Sequence, residues 1–307
     1  MLSKTFTFKD YAGIEIFVYQ WIPEEGTKIK GVVQILHGMA EHAARYEYIA
    51  QALTKHGFVV YADDHRGHGK TAKSLEHAGE LGPDGWEGTL RAIREVTERI
   101  KTDYPNLPIF LLGHSWGSYL CQDYIQNWGK DLKGVILSGT NGEQSMLNLL
   151  KFIGIVSAKI KGYNAKAKLL DKLAMAPLNK PFEPAESPHE WLSRDSAVVK
   201  VYDEDPWCGF VVPNSYYIEM AKGMKKIWNS SNEAKIPVDL PIYLFSGGED
   251  PTNAQTKGLM ALVKRYEKLG IKDLTTKIYE GARHETLNET NKDEVIADLI
   301  NWIESHL

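Results

Sequence analysis

Residues 109–117 read IFLLGHSWG, and this stretch decides the fold. Four apolar residues form a short buried-strand pattern and a helical pattern begins near Ser118, so Ser115 stands in a strand-to-helix turn. The glycines at 113 and 117 flank it where a strained turn that lifts a serine hydroxyl clear of the sheet requires small residues. We therefore predict that Ser115 is a nucleophile at the carboxyl end of a parallel strand, with a tight structural turn as the alternative.

Similar apolar runs recur along the chain and alternate with stretches of helical period, which predicts an α/β fold. The first two, TFTFKD and IEIFVYQWI, are joined by a short segment containing Gly13 and suggest an antiparallel hairpin at the sheet edge. The later runs are continuously apolar, as in strands covered by helices on both faces, and predict a mostly parallel central sheet with five or six parallel strands. They are GVVQILHG, GFVVYADD, IFLLGHS, GVILSGT and PIYLFSGG, and LTTKIYEG is predicted as the last strand. Crossover and closing helices are predicted over 46–55, 86–104, 118–128, 256–269 and 294–306.

One interval, 141–212, breaks this alternation because it contains no clear buried strand. A stripe with helical spacing precedes a proline-rich passage and consists of Met146, Leu149, Leu150, Ile153 and Val156. We interpret the interval as an inserted helical cap, so that 1–140 and 213–307 form the core. A helix over 214–228 would return the chain to the sheet.

A serine hydroxyl needs a base and an orienting carboxylate, and both follow later predicted strands. Asp250 follows PIYLFS in the sequence GGEDP, and His284 follows the last strand in GARHE. Helix capping is the alternative role of Asp250, Glu249 is its rival as the acid, and His284 could instead be an exposed loop histidine. The predicted catalytic set is Ser115, Asp250 and His284, with Asp250 orienting the histidine.

An oxyanion hole requires two backbone N–H groups, one after the nucleophile and one from a loop after an early strand. Here these groups belong to Trp116 and to Met39, which follows strand GVVQIL in the sequence HGMA. Gly38 would let this loop turn back over the nucleophile. A simple β-to-α turn is the alternative interpretation.

The composition is that of a globular protein. The 307 residues are 43% hydrophobic and 25% charged, with a formal net charge of −4. No basic cluster is present, so we predict no nucleic-acid partner. Two cysteines, Cys121 and Cys208, cannot form a disulfide framework, and the first residues, MLSKTFTFKD, lack the apolar segment of a signal peptide. These features predict a cytoplasmic protein.

No cofactor or metal is predicted. The sequence GKT at 69–71 resembles the end of a phosphate-binding loop, but Asp64 occupies the position where that loop needs glycine. The pairs His37/His42 and His65/His68 lack further ligands at the spacing of a known metal motif, so we interpret them as turn residues.

Three segments make a resemblance specific. They are HGMAEHAARYEYIAQALTKHGFVVYADDHRGHGKT, LLGHSWGS and LSRDSAVVKVYDEDPWCGF. These segments resemble bacterial monoacylglycerol lipases and lysophospholipase-like α/β-hydrolases over nearly the whole chain. The resemblance implies an α/β-hydrolase fold, the triad Ser115–His284–Asp250 and the N–H groups of Met39 and Trp116. It departs at Ala40, where many members have glycine, and at Trp116, where methionine is usual.

The predicted function is serine-dependent hydrolysis of carboxylic esters. The resemblance implies single-chain lipid esters such as monoacylglycerols or lysophospholipids. We predict that the cap contributes the substrate-binding residues Phe152, Ile153, Val156, Cys208 and Phe210. The apolar stripe of the cap is interpreted as core or pocket lining, with transient contact with a membrane surface as the alternative. Two other functions stay open: an aminopeptidase or amide hydrolase, whose amine would need the acidic residues near 183–205, and a binding protein without turnover.

Overall fold

The computed structural model describes residues 1–144 and 146–307. Eight strands form one sheet in the order β1-β2-β4-β3-β5-β6-β7-β8. Their bounds are β1 Leu2–Lys9, β2 Glu15–Ile22, β3 Gly31–Leu36, β4 Phe58–Asp63, β5 Ile109–His114, β6 Gly134–Ser138, β7 Ile242–Gly247 and β8 Leu274–Tyr279.

The pairing confirms the predicted hairpin and parallel strands. β1 runs antiparallel to β2, with Leu2 opposite Ile22, and β2 runs antiparallel to β4. All pairs from β4 to β8 are parallel, so six strands have their carboxyl ends at one edge of the sheet. Residues that follow these strands are therefore brought close together.

Ten α-helices accompany the sheet within the described residues. They are α1 Glu47–Lys55, α2 Gly85–Asp103, α3 Trp116–Trp128, α4 Leu147–Lys161, α5 Lys168–Asn179, α6 Ser196–Glu204, α7 Asn214–Ile227, α8 Ser230–Glu233, α9 Lys257–Leu269 and α10 Lys292–Ser305. The predicted start of the third helix was two residues late, because α3 begins directly after Ser115. α2 ends at Asp103, two residues before Pro105, as the proline requires.

Side chains of one strand alternate between two buried layers. In β3, Val32 and Leu36 join the cluster that contains Ile93 of α2, whereas Val33 and Ile35 join the cluster that contains α10. All six residues of β3 are buried. This two-sided burial explains the continuously apolar sequence of the strand.

The chain between β6 and β7, residues 139–241, is called the helical insert below. Its helices α4 and α7 pack on each other, and α7 also packs on α2 and α3. This packing is close: a Cβ atom added to Gly223 of α7 would lie 2.0 Å from the Trp86 indole of α2. A separate small apolar cluster in the insert contains Trp191, Tyr202 and Cys208. Within the described residues, no helix has both the length and the apolarity needed to cross a bilayer.

The stripe predicted from the sequence is divided by the fold. Leu150 and Ile153 pack against the core cluster, as predicted. Met146, Leu149 and Val156 are exposed. The interpretation as buried core is therefore wrong for these three residues, because α4 lies on the surface and only one of its faces contacts α7.

Candidate active site

Ser115 lies in the turn between β5 and α3. Its φ of 50° and ψ of −116° are values that residues other than glycine rarely adopt. Hydrogen bonds hold this conformation: the Ser115 N–H donates to the Ser138 carbonyl at 2.9 Å, and the Ser118 hydroxyl donates to the Ser115 carbonyl at 2.5 Å. The strain is therefore maintained by the neighbouring strand and by the first turn of the helix.

The two glycines of the motif are required by close backbone contacts. A Cβ atom on Gly113 would lie 2.5 Å from the Gly117 carbonyl oxygen, and one on Gly117 would lie 2.2 Å from the Leu36 carbonyl oxygen. The second contact brings the start of α3 against the end of β3. The spacing of the two glycines thus has the steric reason that the sequence suggested.

Asp250 and His284 form a buried pair at the ends of β7 and β8. His284 Nδ1 lies 2.9 Å from Asp250 Oδ2, and the two side chains are 2% and 0% exposed. Asp250 Oδ1 also accepts the Thr252 N–H at 2.9 Å and the Thr252 hydroxyl at 2.7 Å. The capping role and the orienting role are thus filled by different oxygens of one carboxylate. Glu249, the rival from sequence, is exposed.

The charges of this pair reinforce each other. Burial raises the pKa of Asp250, but His284 and the hydrogen bonds from Thr252 outweigh it, so the pKa lies below its usual value. Burial lowers the pKa of His284, but Asp250 outweighs it and the pKa is raised. The neighbouring His114, whose ring centre is 4.8 Å from that of His284, has its pKa lowered to about 4 by burial and by His284. His114 is therefore neutral near pH 7 and places no second charge beside the base.

Two backbone N–H groups beside Ser115 are available to an incoming oxygen atom. A Cβ on Gly38 would lie 3.3 Å from Ser115 Cβ, so the loop containing Met39 lies against the nucleophile. Within the described part of the chain, neither the Met39 nor the Trp116 N–H donates a hydrogen bond. These are the two groups that the sequence suggested for an oxyanion hole.

Sequence reasoning missed a buried network that joins this loop to the histidine loop. The Gly38 N–H donates to Glu41 Oε1 at 2.5 Å, and Glu41 also pairs with Arg45. Arg45 forms a two-pronged ion pair with Glu285, at 2.8 and 2.7 Å, directly after His284. Burial raises the pKa of Glu285, but Arg45 outweighs it and the pKa is well below its usual value. The i,i+4 spacing of Glu41 and Arg45 was a visible signal, but it did not point to a partner 240 residues away.

The loop is also held from the side of the helical insert. The Ala40 carbonyl accepts the Gly209 N–H at 2.9 Å and the Tyr202 hydroxyl at 3.0 Å. The Tyr202 ring in turn lies under the Arg45 guanidinium, 4.8 Å from its centre. The insert therefore contacts both the loop that carries Met39 and the ion network behind it.

Trp116, one of the two departures from the resembled family, is 2% exposed. Its indole lies among other rings, with centre distances of 5.3 Å to His68, 5.1 Å to Tyr216 and 6.2 Å to Trp86. The side chain thus packs between the core and α7 while its backbone N–H remains beside Ser115.

The predicted substrate-binding residues lie in different environments. Phe152 and Val156 are 65% and 41% exposed, Ile153 is partly buried, and Cys208 is buried. The Phe210 ring lies 5.6 Å from that of His68. In this conformation Phe152 and Val156 do not line an enclosed cavity, and the role of all five residues in substrate binding stays a prediction.

We expect the substitution Arg45→Met to destabilise the protein, because it leaves Glu41 and Glu285 buried without their shared cation. Breaking a buried pair in this way costs about 3–5 kcal/mol. Thermal unfolding should show a Tm lower by at least about 6 °C. Arg91→Met is the matched control, since Arg91 is 55% exposed and lies 3.8 Å from an equally exposed Asp84. Equal Tm values for the two variants would show that the buried network contributes nothing.

Comparison with known proteins agrees with this geometry. A family model described as "Serine aminopeptidase, S33" (Hydrolase_4) matches residues 27–291. The chain is 30% identical over 311 residues to the monoacylglycerol lipase of Mycolicibacterium smegmatis, covering 98% of this chain and 97% of that protein. It is 27% identical to human monoglyceride lipase, covering 89% of this chain and 80% of that protein. A thermostable carboxyl esterase from Bacillus coagulans, solved in complex with glycerol, superposes with a TM-score of 0.91 at 28% identity over 99% of each chain. The chain therefore belongs to the Hydrolase_4 family of α/β-hydrolases, as a monoacylglycerol-lipase-like carboxylic ester hydrolase.

Proposed function

We propose that the chain hydrolyses single-chain esters through an acyl-enzyme formed on Ser115. The observation that carries this proposal is the buried His284–Asp250 pair, 2.9 Å apart, at the same sheet edge as the strained serine turn. Because Nδ1 of His284 faces Asp250, Nε2 is the ring nitrogen that remains for the serine proton. We propose that this nitrogen accepts the Ser115 hydroxyl proton when substrate is bound.

In the first step the Ser115 oxygen attacks the ester carbonyl while His284 takes its proton. Asp250 holds the ring and stabilises the imidazolium. The N–H groups of Met39 and Trp116 then receive the oxyanion. The protonated His284 gives its proton to the leaving alcohol, and a water molecule activated by the same histidine releases the acid. Apart from the substrate and this water molecule, every group in these steps belongs to the protein.

The proposed substrate class rests on the relatives of the chain and on the apolar side chains of the insert. Proteins similar to this chain over most of its length are named for monoacylglycerol and monoglyceride. We propose a monoacylglycerol or a lysophospholipid-like ester, whose single acyl chain can be buried at about 0.8 kcal/mol per methylene. The part of the helical insert over 141–212 would cover the site as a cap.

The description of the family model names an aminopeptidase activity. This activity is the alternative to ester hydrolysis. A substrate amine needs a carboxylate that is available to it. Asp203 is paired with His189 at 2.5 Å, and Asp205 with His42 at 2.9 Å. Glu204 is exposed and lies 3.8 Å from Lys200. Asp203 and Asp205 are thus engaged by histidines, whereas Glu183 and Glu186 are exposed, so the preference for an ester rests on the relatives named for monoacylglycerol and monoglyceride.

We also propose that α4 and α5 contact lipid surfaces transiently. Nine large apolar side chains between 146 and 173 are more than a third exposed. The stretch 146–175 also carries six lysines and one aspartate, a charge balance that favours anionic headgroups. The exposed residues are Met146, Leu149, Phe152, Ile155, Val156, Ile160, Tyr163, Leu169 and Leu173.

We propose the cytoplasm as the compartment. Cys121 and Cys208 are both buried and unbridged, and burial raises the pKa of both thiols, which keeps them neutral. Unbridged thiols of this kind fit a reducing environment.

Ser115→Ala should lower kcat/KM for p-nitrophenyl butyrate by at least about a thousandfold while Tm changes little, because triad members act as a unit. The wild type, but not the variant, should be labelled by a fluorophosphonate probe. A monoacylglycerol and an aminoacyl p-nitroanilide assayed in parallel test the substrate class. Turnover of the anilide in preference to the esters would replace the ester proposal, and an unlabelled wild type would favour a binding protein.

The pH dependence of kcat/KM should reflect His284 in its neutral form. Since the histidine pKa is raised in the folded protein, activity should increase with pH through an apparent pKa above the usual value of about 6.5. Asp250→Asn should move this pKa downward and lower kcat by about 10⁴-fold. Glu249→Gln, a change in the adjacent exposed carboxylate, is the control. A loss confined to the Glu249 variant would assign the acid to that residue instead.

Vesicle sedimentation tests the lipid contact. The double variant Ile160→Asp, Leu169→Asp should bind vesicles of mixed neutral and anionic phospholipid at least about tenfold more weakly than wild type, because two exposed apolar contacts become charges. Val201→Asp is the matched control, since Val201 is 66% exposed but lies on α6. Equal weakening by both variants would contradict a specific role of α4 and α5.

A further inference from the structure

Three side chains with metal-ligating atoms meet where the helical insert touches the Met39 loop. One nitrogen of His42, one carboxylate oxygen of Asp205 and the sulfur of Cys208 all lie within 4.8 Å of one another. His42 Nε2 is 2.9 Å from Asp205 Oδ2. This cluster, His42/Asp205/Cys208, takes no part in the proposed ester chemistry.

The backbone prepares two of these three groups. Residues 205–208 form a tight turn in which the Cys208 N–H donates to the Asp205 carbonyl at 2.9 Å. The Trp207 N–H donates to Asp205 Oδ1 at 2.8 Å, which leaves Oδ2 directed at His42. Two ligands three residues apart on one turn, with a third from a distant segment, are a common arrangement in zinc sites.

The surrounding charge favours a cation. The Arg45 guanidinium, which acts on both Asp205 and Cys208, has its charge shared between Glu41 and Glu285. Counting these three groups with Asp205 gives a local net charge of −2, from three carboxylates and one guanidinium. The cluster is also reachable from solvent, because His42 and Asp205 are 15% and 28% exposed.

We propose that His42, Asp205 and Cys208 bind a Zn²⁺ ion that fixes the helical insert to the Met39 loop and slows ester hydrolysis. The imidazole, the carboxylate and the thiolate supply one nitrogen, one oxygen and one sulfur ligand, and water fills the fourth position. Zn²⁺ displaces the thiol proton of Cys208, which leaves to solvent, and no electron is transferred. Mg²⁺ and Ca²⁺ do not fit this donor set, because they prefer oxygen ligands alone.

Occupation of the site changes the loop because the ligands must come closer. Zinc binds sulfur at about 2.3 Å and nitrogen at about 2.0 Å, so donor atoms that are up to 4.8 Å apart move towards one point. Gly209, next to Cys208, already donates its N–H to the Ala40 carbonyl. Any shift of these segments therefore reaches Met39, whose N–H is proposed to bind the oxyanion.

The test begins with metal-free, reduced protein of full length. Titration with Cd²⁺, a spectroscopic substitute for Zn²⁺, should produce a thiolate-to-metal charge-transfer band, and equilibrium dialysis should give one Zn²⁺ per chain. Cys208→Ser and Asp205→Asn should each weaken Zn²⁺ binding by more than the roughly 10- to 100-fold that outer contacts of a metal site contribute. The matched control is His77→Asn, since His77 and Glu80 form an exposed pair at 3.3 Å without a thiol.

A second arm measures hydrolysis of p-nitrophenyl butyrate, and only this arm rests on the proposed esterase activity. Zn²⁺ should lower kcat in the wild type and in His77→Asn, a chelator should restore it, and Mg²⁺ should have no effect. Addition of Zn²⁺ should leave the kcat of the Cys208 variant at its own metal-free value. An absent Cd²⁺–thiolate band, or Zn²⁺ binding that survives in both ligand variants, would overturn the site. Binding at the cluster with unchanged kcat would overturn its control of turnover.

Discussion

The close contact between Gly117 and the Leu36 carbonyl is the constraint on which the site depends. With no room for a Cβ atom at residue 117, the first turn of α3 lies directly on the end of β3. The serine turn and the Met39 loop are thereby brought to the same point of the sheet edge, and the parallel order of β5 to β8 brings Asp250 and His284 to it from the other side. The candidate catalytic groups come from four separate segments, and this backbone contact limits how closely the first two approach.

The local electrostatics also differs between the histidines near the site, so that the charged form is stabilised in one of them and disfavoured in others. His284 is the histidine whose protonated form is stabilised, since it faces a carboxylate that Thr252 keeps ionised. His114 has a depressed pKa, and burial lowers that of His68 to about 3. His284 is therefore the candidate base among these histidines, because its ring faces the buried Asp250 carboxylate beside the Ser115 turn.

Much of the fold, and the placement of the predicted catalytic residues at one sheet edge, was predictable from sequence because it depends on local signals. A buried strand, a glycine-flanked serine and a turn after a strand are each visible within about ten residues. The ion network could not be predicted in the same way. Arg45 and Glu285 are 240 residues apart, and no local pattern in either segment indicates that they form a pair. His42 is a similar case: its chain neighbours offered no metal ligand, whereas its spatial neighbours are 163 residues away. The periodicity also did not predict that one face of α4 is exposed. An apolar stripe has the same helical period whether it packs against a core or lies at the surface.

The two hydrogen bonds that the Ala40 carbonyl accepts have a consequence for modularity. Tyr202 and Gly209 belong to the helical insert, whereas Ala40 belongs to the loop after β3. The insert therefore helps to hold the loop after β3 that carries Met39. It is not an independent cap that could be exchanged without effect on this loop. A chimera that receives the insert of a relative would keep its catalytic geometry only if the transplanted segment again offers an N–H and a hydroxyl to the carbonyl of residue 40. Evolution of new substrate ranges in such an enzyme is thereby limited to changes that leave those two donors in place.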